Sequence, residues 1–283
     1  MTGQLYIVGT PIGNLEDMSA RAIQVLRLVD LIAAEDTRHT GHLLRHFQVS
    51  TPQISYHLHN THMRVPQLLE RLRQGQQLAL VTDAGMPGIS DPGYELVQAC
   101  IREGIGVVPI PGPSAAIAAL IISGLPTDRF CFEGFLPVKG KLRQLRLETL
   151  QTEDRTMVLY ESPHRLRRTL VDLAEFMGSD RQIAIARELT KVHETVWRGG
   201  LAEAIVFYHD HEPRGEFTLV LAGQPARPVS LHTTEIALEI QELLAQGLSR
   251  SQASRQVAQN NSLPRRQVYQ LALSLADEPE EGR

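Results

Sequence analysis

Short apolar runs separated by helical patterns are the feature that most restricts how this chain can fold. In the first half, runs of strand length occur at residues 5–8, 31–34, 78–81 and 107–110. The segments between them carry apolar residues at helical spacing, as in the stretch from Ala22 to Val29. Strands that alternate with helices form a largely parallel sheet, so the pattern predicts an α/β domain.

The second half predicts a mixed sheet followed by a helical appendage. Its apolar runs lie at residues 129–135, 157–160, 183–186, 195–198 and 217–222. A helix is expected over 163–177, and the closer spacing after residue 183 indicates antiparallel pairing. Three short helical patterns follow a linker. We therefore divide the chain into α/β domains at 1–124 and 125–224 and a helix-turn-helix-like domain at 232–277, with a charged tail at 277–283.

Composition excludes several classes of protein. The chain has 283 residues, 42% of them hydrophobic and 21% charged, and no apolar run approaches the ~20 residues of a membrane span. The N-terminus lacks the basic region of a secretory signal, and two cysteines fit a reduced compartment. We expect a cytoplasmic protein without membrane contact. Its formal net charge of -4 restricts any nucleic-acid contact to local patches.

Three loops rich in glycine and proline follow predicted strands and point to a ligand site. They are GTPIGN at 9–14, VTDAGMPGISDPG at 81–93 and PGPS at 111–114. Ligands of open α/β sheets bind beyond the carboxyl ends of strands, and such loops let backbone groups approach a small cofactor. Neither a dinucleotide fingerprint nor a phosphate loop occurs, and GPSAA does not match the nucleophile elbow of a hydrolase.

Seven motifs in the same order carry a resemblance to a known family. They are LYIVGTPIGNLEDMSARA, LIAAEDTRHT, VTDAGMPGISDPG, IPGPSAAIAAL, FEGFLPVKGK, YESPHR and ARELTKVHE. Together they closely resemble the ribosomal small-subunit methyltransferase I family, within the tetrapyrrole-methylase superfamily. The resemblance covers about residues 4–223, and the helical appendage is similar to that family's C-terminal domain.

The resemblance implies the two-domain tetrapyrrole-methylase-like fold, a class III methyltransferase fold, with a small C-terminal all-helical domain. It also implies an enzyme that uses S-adenosylmethionine to methylate the ribose 2'-hydroxyl of cytidine 1402 in 16S rRNA, usually as a homodimer. Where the superfamily has a Gly-Asp-Pro segment, this chain has DAG and SDPG. The residues implied to bind the cofactor are Pro11, Asp83, Ala84, Gly85, Pro87, Gly88, Ser114, Ala115, Ala116, Glu161, Ser162, Leu221, Ala222 and Gly223.

Methyl transfer to a hydroxyl requires alignment and benefits from a base or a cation near the developing alkoxide. Our candidates for these roles are Glu35, Asp36, Arg38, Lys139 and Glu161. Asp36 equally fits a helix N-cap, since Asp is a preferred residue there. Two basic runs flank the domain junction of a net acidic chain and predict contacts with RNA phosphates. The RNA-binding candidates are Lys139, Lys141, Arg143, His164, Arg165, Arg265 and Arg266.

Other interpretations stay open at this stage. The appendage fits either an rRNA contact or a dimerisation or stability role, since Tyr269 is its only aromatic residue. His39, His42 and His46 share one predicted helix face, but no Cys or carboxylate completes a ligand set, so we expect no metal site. The alternatives to rRNA methylation are a methyltransferase for a tetrapyrrole precursor and a non-catalytic RNA-binding assembly factor.

Overall fold

Five parallel strands form the first sheet of the computed structural model, which describes residues 2–225, 233–261 and 263–275. They are β1 (Gln4–Val8), β2 (Leu31–Ala34), β3 (Gln53–Ser55), β4 (Leu78–Val81) and β5 (Gly106–Ile110). Their order is β3-β2-β4-β1-β5, and every pairing is parallel. The four predicted strands and the parallel sheet are confirmed. The sequence analysis missed β3, a three-residue, half-buried edge strand.

Alternating residues of these strands enter two separate cores. Leu78 and Leu80 of β4 belong to the core on one face, while Ala79 and Val81 belong to the core on the other. Burial on both faces explains why the strands read as continuous apolar runs. The helices that cover the sheet are α1 (Ala20–Leu28), α2 (Thr37–His46), α3 (Thr61–Arg73) and α4 (Tyr94–Arg102).

The second sheet is mixed, as predicted. Its strands are β6 (Phe130–Phe135), β7 (Thr156–Glu161), β8 (Gln182–Arg187), β9 (Thr195–Gly200) and β10 (Phe217–Leu221), in the order β6-β7-β10-β8-β9. Only β6 and β7 pair in parallel. The helices α6 (Lys141–Gln151), α7 (Pro163–Met177) and α8 (Leu201–Asp210) accompany this sheet. The bounds of α7 match the predicted helix.

The helix α5 (Ala115–Ser123) connects the two halves of the first unit. Ala116, Ala119 and Leu120 of α5 pack against Val158 and Val220 of the second sheet. The chain forms two compact units, Met1–Gln224 and Pro225–Arg283, so both sheets belong to the first. The predicted boundary at residue 124 assigns α5 to the first domain, yet α5 packs on the second sheet. A division of this unit at residue 124 therefore remains an interpretation.

The second unit contains the three predicted helices, α9 (Thr233–Ala245), α10 (Arg250–Asn260) and α11 (Arg265–Ser274). They enclose their own apolar core, which includes Ile240, Val257 and Val268. Most of the predicted linker and the charged tail lie outside the described residues. None of the helices in 2–225, 233–261 and 263–275 has the length and apolar character that a membrane crossing requires.

Candidate active site

A cavity of about 290 Å³ lies where loops from the two sheets of the first unit meet. The loops after β1, β4 and β5 all contribute, as the positions of the three glycine- and proline-rich segments predicted. The second sheet contributes the end of β7 and the start of β10. The lining residues are Ile12, Ala84, Gly85, Met86, Ile89, Ser90, Asp91, Ser114, Ala115, Phe135, Tyr160, Glu161, Ser162, Pro163, Ala186, Leu189, Gly215, Glu216, Phe217 and Thr218.

Backbone pairing fixes the loops after β1 and β4 against each other. The Thr10 N–H donates to the Gly85 carbonyl at 2.9 Å, and the Gly85 N–H donates to the Thr10 carbonyl at 3.1 Å. The buried Thr10 hydroxyl donates to the Thr82 carbonyl at 3.1 Å. Gly85 has a φ of 80°, which favours glycine at this corner of the cavity. The cavity wall is therefore held by hydrogen bonds rather than by side-chain packing alone.

The loops after β1 and β5 approach so closely that both need glycine at the contact. A Cβ atom on Gly9 would lie 2.7 Å from the Gly112 Cα and 2.6 Å from the Met86 sulfur. A Cβ atom on Gly112 would lie 2.8 Å from the Gly9 Cα. Met86 itself lines the cavity. These two glycines therefore set how closely the loops after β1 and β5 pack against each other and against Met86.

A second cavity of about 550 Å³ adjoins the first and shares Ile12, Ala84 and Glu216 with it. Its remaining lining residues are Pro11, Gly13, Leu15, His39, His42, Leu43, Asp83 and Lys191. The Lys191 ammonium pairs with Glu188 at 2.9 Å and with Glu216 at 2.8 Å. This cavity combines apolar walls with side chains of both charges, a composition that suits a polar, planar molecule.

Asp83 of the second cavity and Asp91 of the first interact electrostatically with Glu35, which lines neither cavity. The backbone N–H of Asp83 donates to Glu35 at 3.4 Å, and the backbone N–H of Asp36 donates to Asp83 at 3.2 Å. Burial, followed in size by the negative charges of Glu35 and Asp83, raises the pKa of Asp91 to about 7. Burial also raises the pKa of Glu35. The sequence analysis missed Asp91, although it stands in the quoted loop.

The shifted pKa of Asp91 predicts a pH dependence of stability. From about pH 4 to pH 7 the folded protein keeps the Asp91 proton while the unfolded chain releases it, so rising pH lowers the free energy of unfolding. We expect the free energy of unfolding of Asp91→Asn to rise relative to that of the wild type as pH increases across this interval. Below the interval, the difference between the two free energies should be constant. Urea unfolding at a series of pH values measures this, with the exposed Asp128→Asn as control. A pH-independent difference for Asp91→Asn would contradict the assignment.

Asp36 and Arg38 bind each other rather than the cavities. Asp36 caps α2 by accepting from the Arg38 N–H at 2.8 Å, and its carboxylate pairs with the Arg38 guanidinium at 2.8 Å. The hydrogen bonds from the Arg38 side chain and backbone hold the pKa of Asp36 well below its usual range. The capping role that the sequence allowed is therefore the one that the structure shows.

Glu161 lines the cavity, but its carboxylate is committed to a buried network. It accepts from the Thr169 hydroxyl at 2.5 Å and from the Ser162 N–H at 2.8 Å, and it pairs with Arg165 at 3.3 Å. Arg165 also donates to the Leu136 carbonyl, which ties the start of α7 to the loop after β6. Glu161 thus fixes the cavity wall, while the His164 side chain is exposed.

The structure contradicts the prediction that Arg143 binds RNA. Arg143 is only 3% exposed. Its guanidinium donates to Asp172 at 2.6 Å, to the Pro137 carbonyl at 3.0 Å and to the Thr169 hydroxyl at 3.0 Å. The helix α6 turns Arg143 toward α7, so its neighbour Lys141 is exposed but Arg143 is not. Lys139, in the loop before α6, is also exposed.

The structure also contradicts the placement of Leu221, Ala222 and Gly223 in the cavity. Because β10 runs antiparallel to β7, Phe217 lies beside Glu161 at the cavity, whereas Leu221 lies beside Met157 at the far end. Leu221 is fully buried in the core, and the Ala222 N–H donates to the Gln182 carbonyl at 2.9 Å. The residues that β10 and its preceding loop do supply are 215–218. Because β10 is antiparallel to β7, the start of β10 and not its end lies at the cavity. Strand direction is therefore the property that locates residues 215–218 there.

The remaining implied cofactor residues divide between the two cavities and the structure around them. Ala84, Gly85, Ser114, Ala115, Glu161 and Ser162 line the first cavity, and Pro11, Asp83 and Ala84 line the second. Within the described residues, Pro87, Gly88 and Ala116 line neither. No group of three or more His, Cys, Asp or Glu side chains that could hold a metal occurs in the part of the chain that the structure describes.

Known proteins are similar to this chain in fold and in sequence. The family model for tetrapyrrole (corrin/porphyrin) methylases matches residues 4–205. The solved uroporphyrin-III-C-methyltransferase from Thermus thermophilus superposes with a TM-score of 0.57 at 21% identity, over 78% of this chain and 94% of that chain. This likeness confirms the predicted fold class.

Two curated relatives have the name ribosomal RNA small subunit methyltransferase I. The one from Synechocystis is 58% identical over 274 residues, which are 96% of this chain and 98% of that protein. The one from Thermotoga maritima is 50% identical over 222 residues, which are 78% of this chain and 99% of that protein.

Proposed function

We propose that this chain, which belongs to the ribosomal RNA small subunit methyltransferase I family within the tetrapyrrole methylases, methylates the ribose 2'-hydroxyl of cytidine 1402 in 16S rRNA. Membership of the family makes it a methyltransferase of small-subunit ribosomal RNA. The parts that we propose are the cofactor S-adenosylmethionine, the nucleotide and the hydroxyl. The observation that carries the proposal is the pair of adjoining cavities that share three lining residues.

The first cavity fits S-adenosylmethionine. Its walls combine apolar side chains with a few polar groups, and Gly85 lets backbone approach the ligand. Gly9 and Gly112 let the loops that form these walls pack closely against each other. The Glu216 carboxylate suits a ligand that carries positive charge on sulfur and on its amino group. When bound, this cofactor supplies an electrophilic methyl group. The protein's task is to hold donor and acceptor in line, which rigid loops achieve.

The second cavity is the proposed site of the acceptor nucleoside. It opens onto the first at Ile12, Ala84 and Glu216, so a ribose there lies beside the methyl donor. Ile12, Leu15 and Leu43 offer apolar surface to a base, while Asp83 offers an acceptor for an amino group. The Lys191 ammonium provides positive charge near a phosphate or a developing alkoxide.

Asp91 is the proposed acceptor of the hydroxyl proton. It lines the first cavity, so it acts on a hydroxyl that enters from the second cavity through the junction at Ile12 and Ala84. Its pKa of about 7 matches the range in which a general base works best. After burial, the negative charge of Glu35 is the next largest cause of this raised pKa. Asp36, Arg38 and Glu161 have the structural roles described above, so we no longer propose them as catalytic residues.

We further propose that the protein is a cytoplasmic homodimer. Ile117 and Ile121 lie one turn apart on α5 and are 45% and 68% exposed, opposite the face that packs on the second sheet. Such apolar side chains suit contact with a second copy of the chain. Sedimentation equilibrium at micromolar concentration tests this, with Ile121→Lys expected to shift the protein toward monomer and a monomeric wild type contradicting the dimer.

A methyl-transfer assay tests the proposed activity. Labelled S-adenosylmethionine is offered with unmodified small ribosomal subunits, with naked 16S rRNA or with a tetrapyrrole precursor. We expect label in the 16S rRNA of the subunit sample or the naked RNA. Label in the tetrapyrrole alone would overturn the substrate, and cofactor binding without transfer to any acceptor would favour the non-catalytic alternative.

The exposed Lys139 and Lys141 predict a contact with RNA phosphates. Both follow β6, whose last residue, Phe135, lines the first cavity. We expect Lys139→Ala/Lys141→Ala to raise the KM for RNA about 10-fold at 0.1 M salt and to leave the Kd for S-adenosylmethionine unchanged. Arg129→Ala is the control, because this exposed arginine lies before the opposite end of β6. An unchanged KM in the double variant would remove the phosphate contact.

A further inference from the structure

In the second unit, acidic and basic residues lie on different helices. The helix α9 has three carboxylates, Glu235, Glu239 and Glu242, and no lysine or arginine. The segment 249–275, which contains α10 and α11, has four arginines and no Asp, Glu or Lys; the arginines are Arg250, Arg255, Arg265 and Arg266. In a chain whose formal net charge is -4, this segment is a concentrated positive patch.

A hydrogen bond brings the first turns of α10 and α11 together. The Arg265 guanidinium donates to the Ser251 hydroxyl at 3.1 Å, and Ser251 follows Arg250 in α10. Ser249 and Gln252 form a capping box that fixes the start of α10. Arg250, Arg265 and Arg266 therefore lie around one junction, where two helix N-termini add their own positive potential.

The side chains around this junction are those that bind a phosphate backbone. All four arginines are exposed. Tyr269 is 40% exposed and lies one turn after Arg265 and Arg266 on α11, where it can stack on a base. Exposed amides on the same two helices provide neutral hydrogen-bond donors; they are Gln256, Gln259, Asn260, Gln267 and Gln270.

The second unit is also structurally independent of the part of the chain that forms the two cavities. It has its own apolar core, formed by residues of α9, α10 and α11. The Thermotoga maritima relative is matched over 99% of its length by only 222 residues of this chain. That length is close to the first unit alone, Met1–Gln224. A protein with the same family name thus has no length left for a counterpart of the helical unit.

We propose that α10 and α11 form an RNA-binding surface, centred on Arg250, Arg255, Arg265 and Arg266, that raises the affinity of the enzyme for structured RNA. The surface contacts the phosphate backbone and takes no part in methyl transfer itself. The choice of ribosomal RNA as the partner rests on the proposed function. The open alternative of a stability cap or a dimer contact does not explain why carboxylates are excluded from two of the three helices.

Full-length variants test this surface. In one, all four arginines become Gln; in a second, all four become Lys; in a third, Glu235→Gln/Glu242→Gln removes charge from α9. Binding to an in vitro 16S rRNA transcript is followed by fluorescence anisotropy between 0.05 and 0.2 M salt, and rates are measured at saturating RNA. Each lost phosphate contact removes about 0.7–0.9 from the slope of log K against log salt.

We expect the glutamine variant to bind the transcript at least about 10-fold more weakly at 0.1 M salt, with a salt slope lower by roughly 3. The lysine variant should retain most of the affinity, and the α9 variant should bind as the wild type does. Rates at saturating RNA and the Kd for S-adenosylmethionine should be unchanged in all three. Far-UV circular dichroism checks that the helix content of each full-length variant equals that of the wild type.

Two results would overturn the proposal. One is a folded glutamine variant that binds RNA with the same affinity and the same salt slope as the wild-type protein. The other is binding of the wild type to a DNA duplex at least as tightly as to an RNA duplex of the same length. Absence of methyl transfer by the wild type would reject the proposed function instead, because the binding measurement stands without it.

Discussion

Gly9→Ala is expected to weaken S-adenosylmethionine binding by about 10- to 100-fold. The added Cβ would meet the Gly112 Cα at 2.7 Å and the Met86 sulfur at 2.6 Å, so the loops after β1 and β5 must separate. Overpacking of this kind costs roughly 1–3 kcal/mol, and every 1.4 kcal/mol lost from binding is tenfold in Kd. Titration calorimetry with the cofactor measures the effect.

Gly41→Ala is the matched control for that substitution. Gly41 lies in α2, and a Cβ atom there would meet only the Gln53 side-chain amide, at 3.6 Å. Alanine in a helix interior stabilises by up to about 1 kcal/mol relative to glycine, so this variant should bind the cofactor normally and melt at the same temperature or higher. Undiminished cofactor binding by Gly9→Ala would mean that the first cavity is not the cofactor site.

Arg143→Gln is expected to destabilise the first unit by about 3 kcal/mol, because it leaves Asp172 without its buried partner and removes donors to Thr169 and Pro137. For a unit of this size the melting temperature should fall by about 8 °C. RNA affinity at a temperature where the variant is folded should not change. Differential scanning calorimetry and RNA binding are the two measurements.

Arg168→Gln separates this effect from simple charge loss. Arg168 lies 3.7 Å from the same Asp172 carboxylate, but its side chain is 60% exposed. An exposed pair contributes about 0–1 kcal/mol, so this variant should melt within about 4 °C of the wild type. If Arg143→Gln instead has the stability of the wild type and binds RNA more weakly, Arg143 contacts a phosphate, as the sequence predicted.

The sequence sufficed for every strand of the two sheets except β3, for α7 and the helices of the second unit, and for the loops that form the cavity. Residues 78–81 read as a strand because both faces of β4 are buried, and residues 163–177 read as a helix that Pro163 begins. The meeting of the three loops followed from parallel strand order alone, since all their carboxyl ends lie at one edge.

Contacts between distant residues were beyond the sequence. Arg143 and Lys141 stand two positions apart in one basic run, yet only Arg143 meets Asp172, which lies 29 residues later on α7. Asp91 gains its raised pKa from burial and from Glu35, which is distant in sequence. Leu221 was assigned to the cavity by the resemblance alone, whereas the antiparallel β10 places it beside Ile183, away from the cavity.

Nucleoside analysis of methylated 16S rRNA tests the central claim most directly. Unmodified small subunits are incubated with the wild-type protein and S-adenosylmethionine, and the RNA is digested to nucleosides and separated by mass. The account predicts 2'-O-methylcytidine, located at cytidine 1402 by fragment mapping, and about 10- to 100-fold slower formation of it when Gly9→Ala is assayed at limiting cofactor. A methyl group on the base, or on a different nucleotide, would contradict the proposed acceptor site.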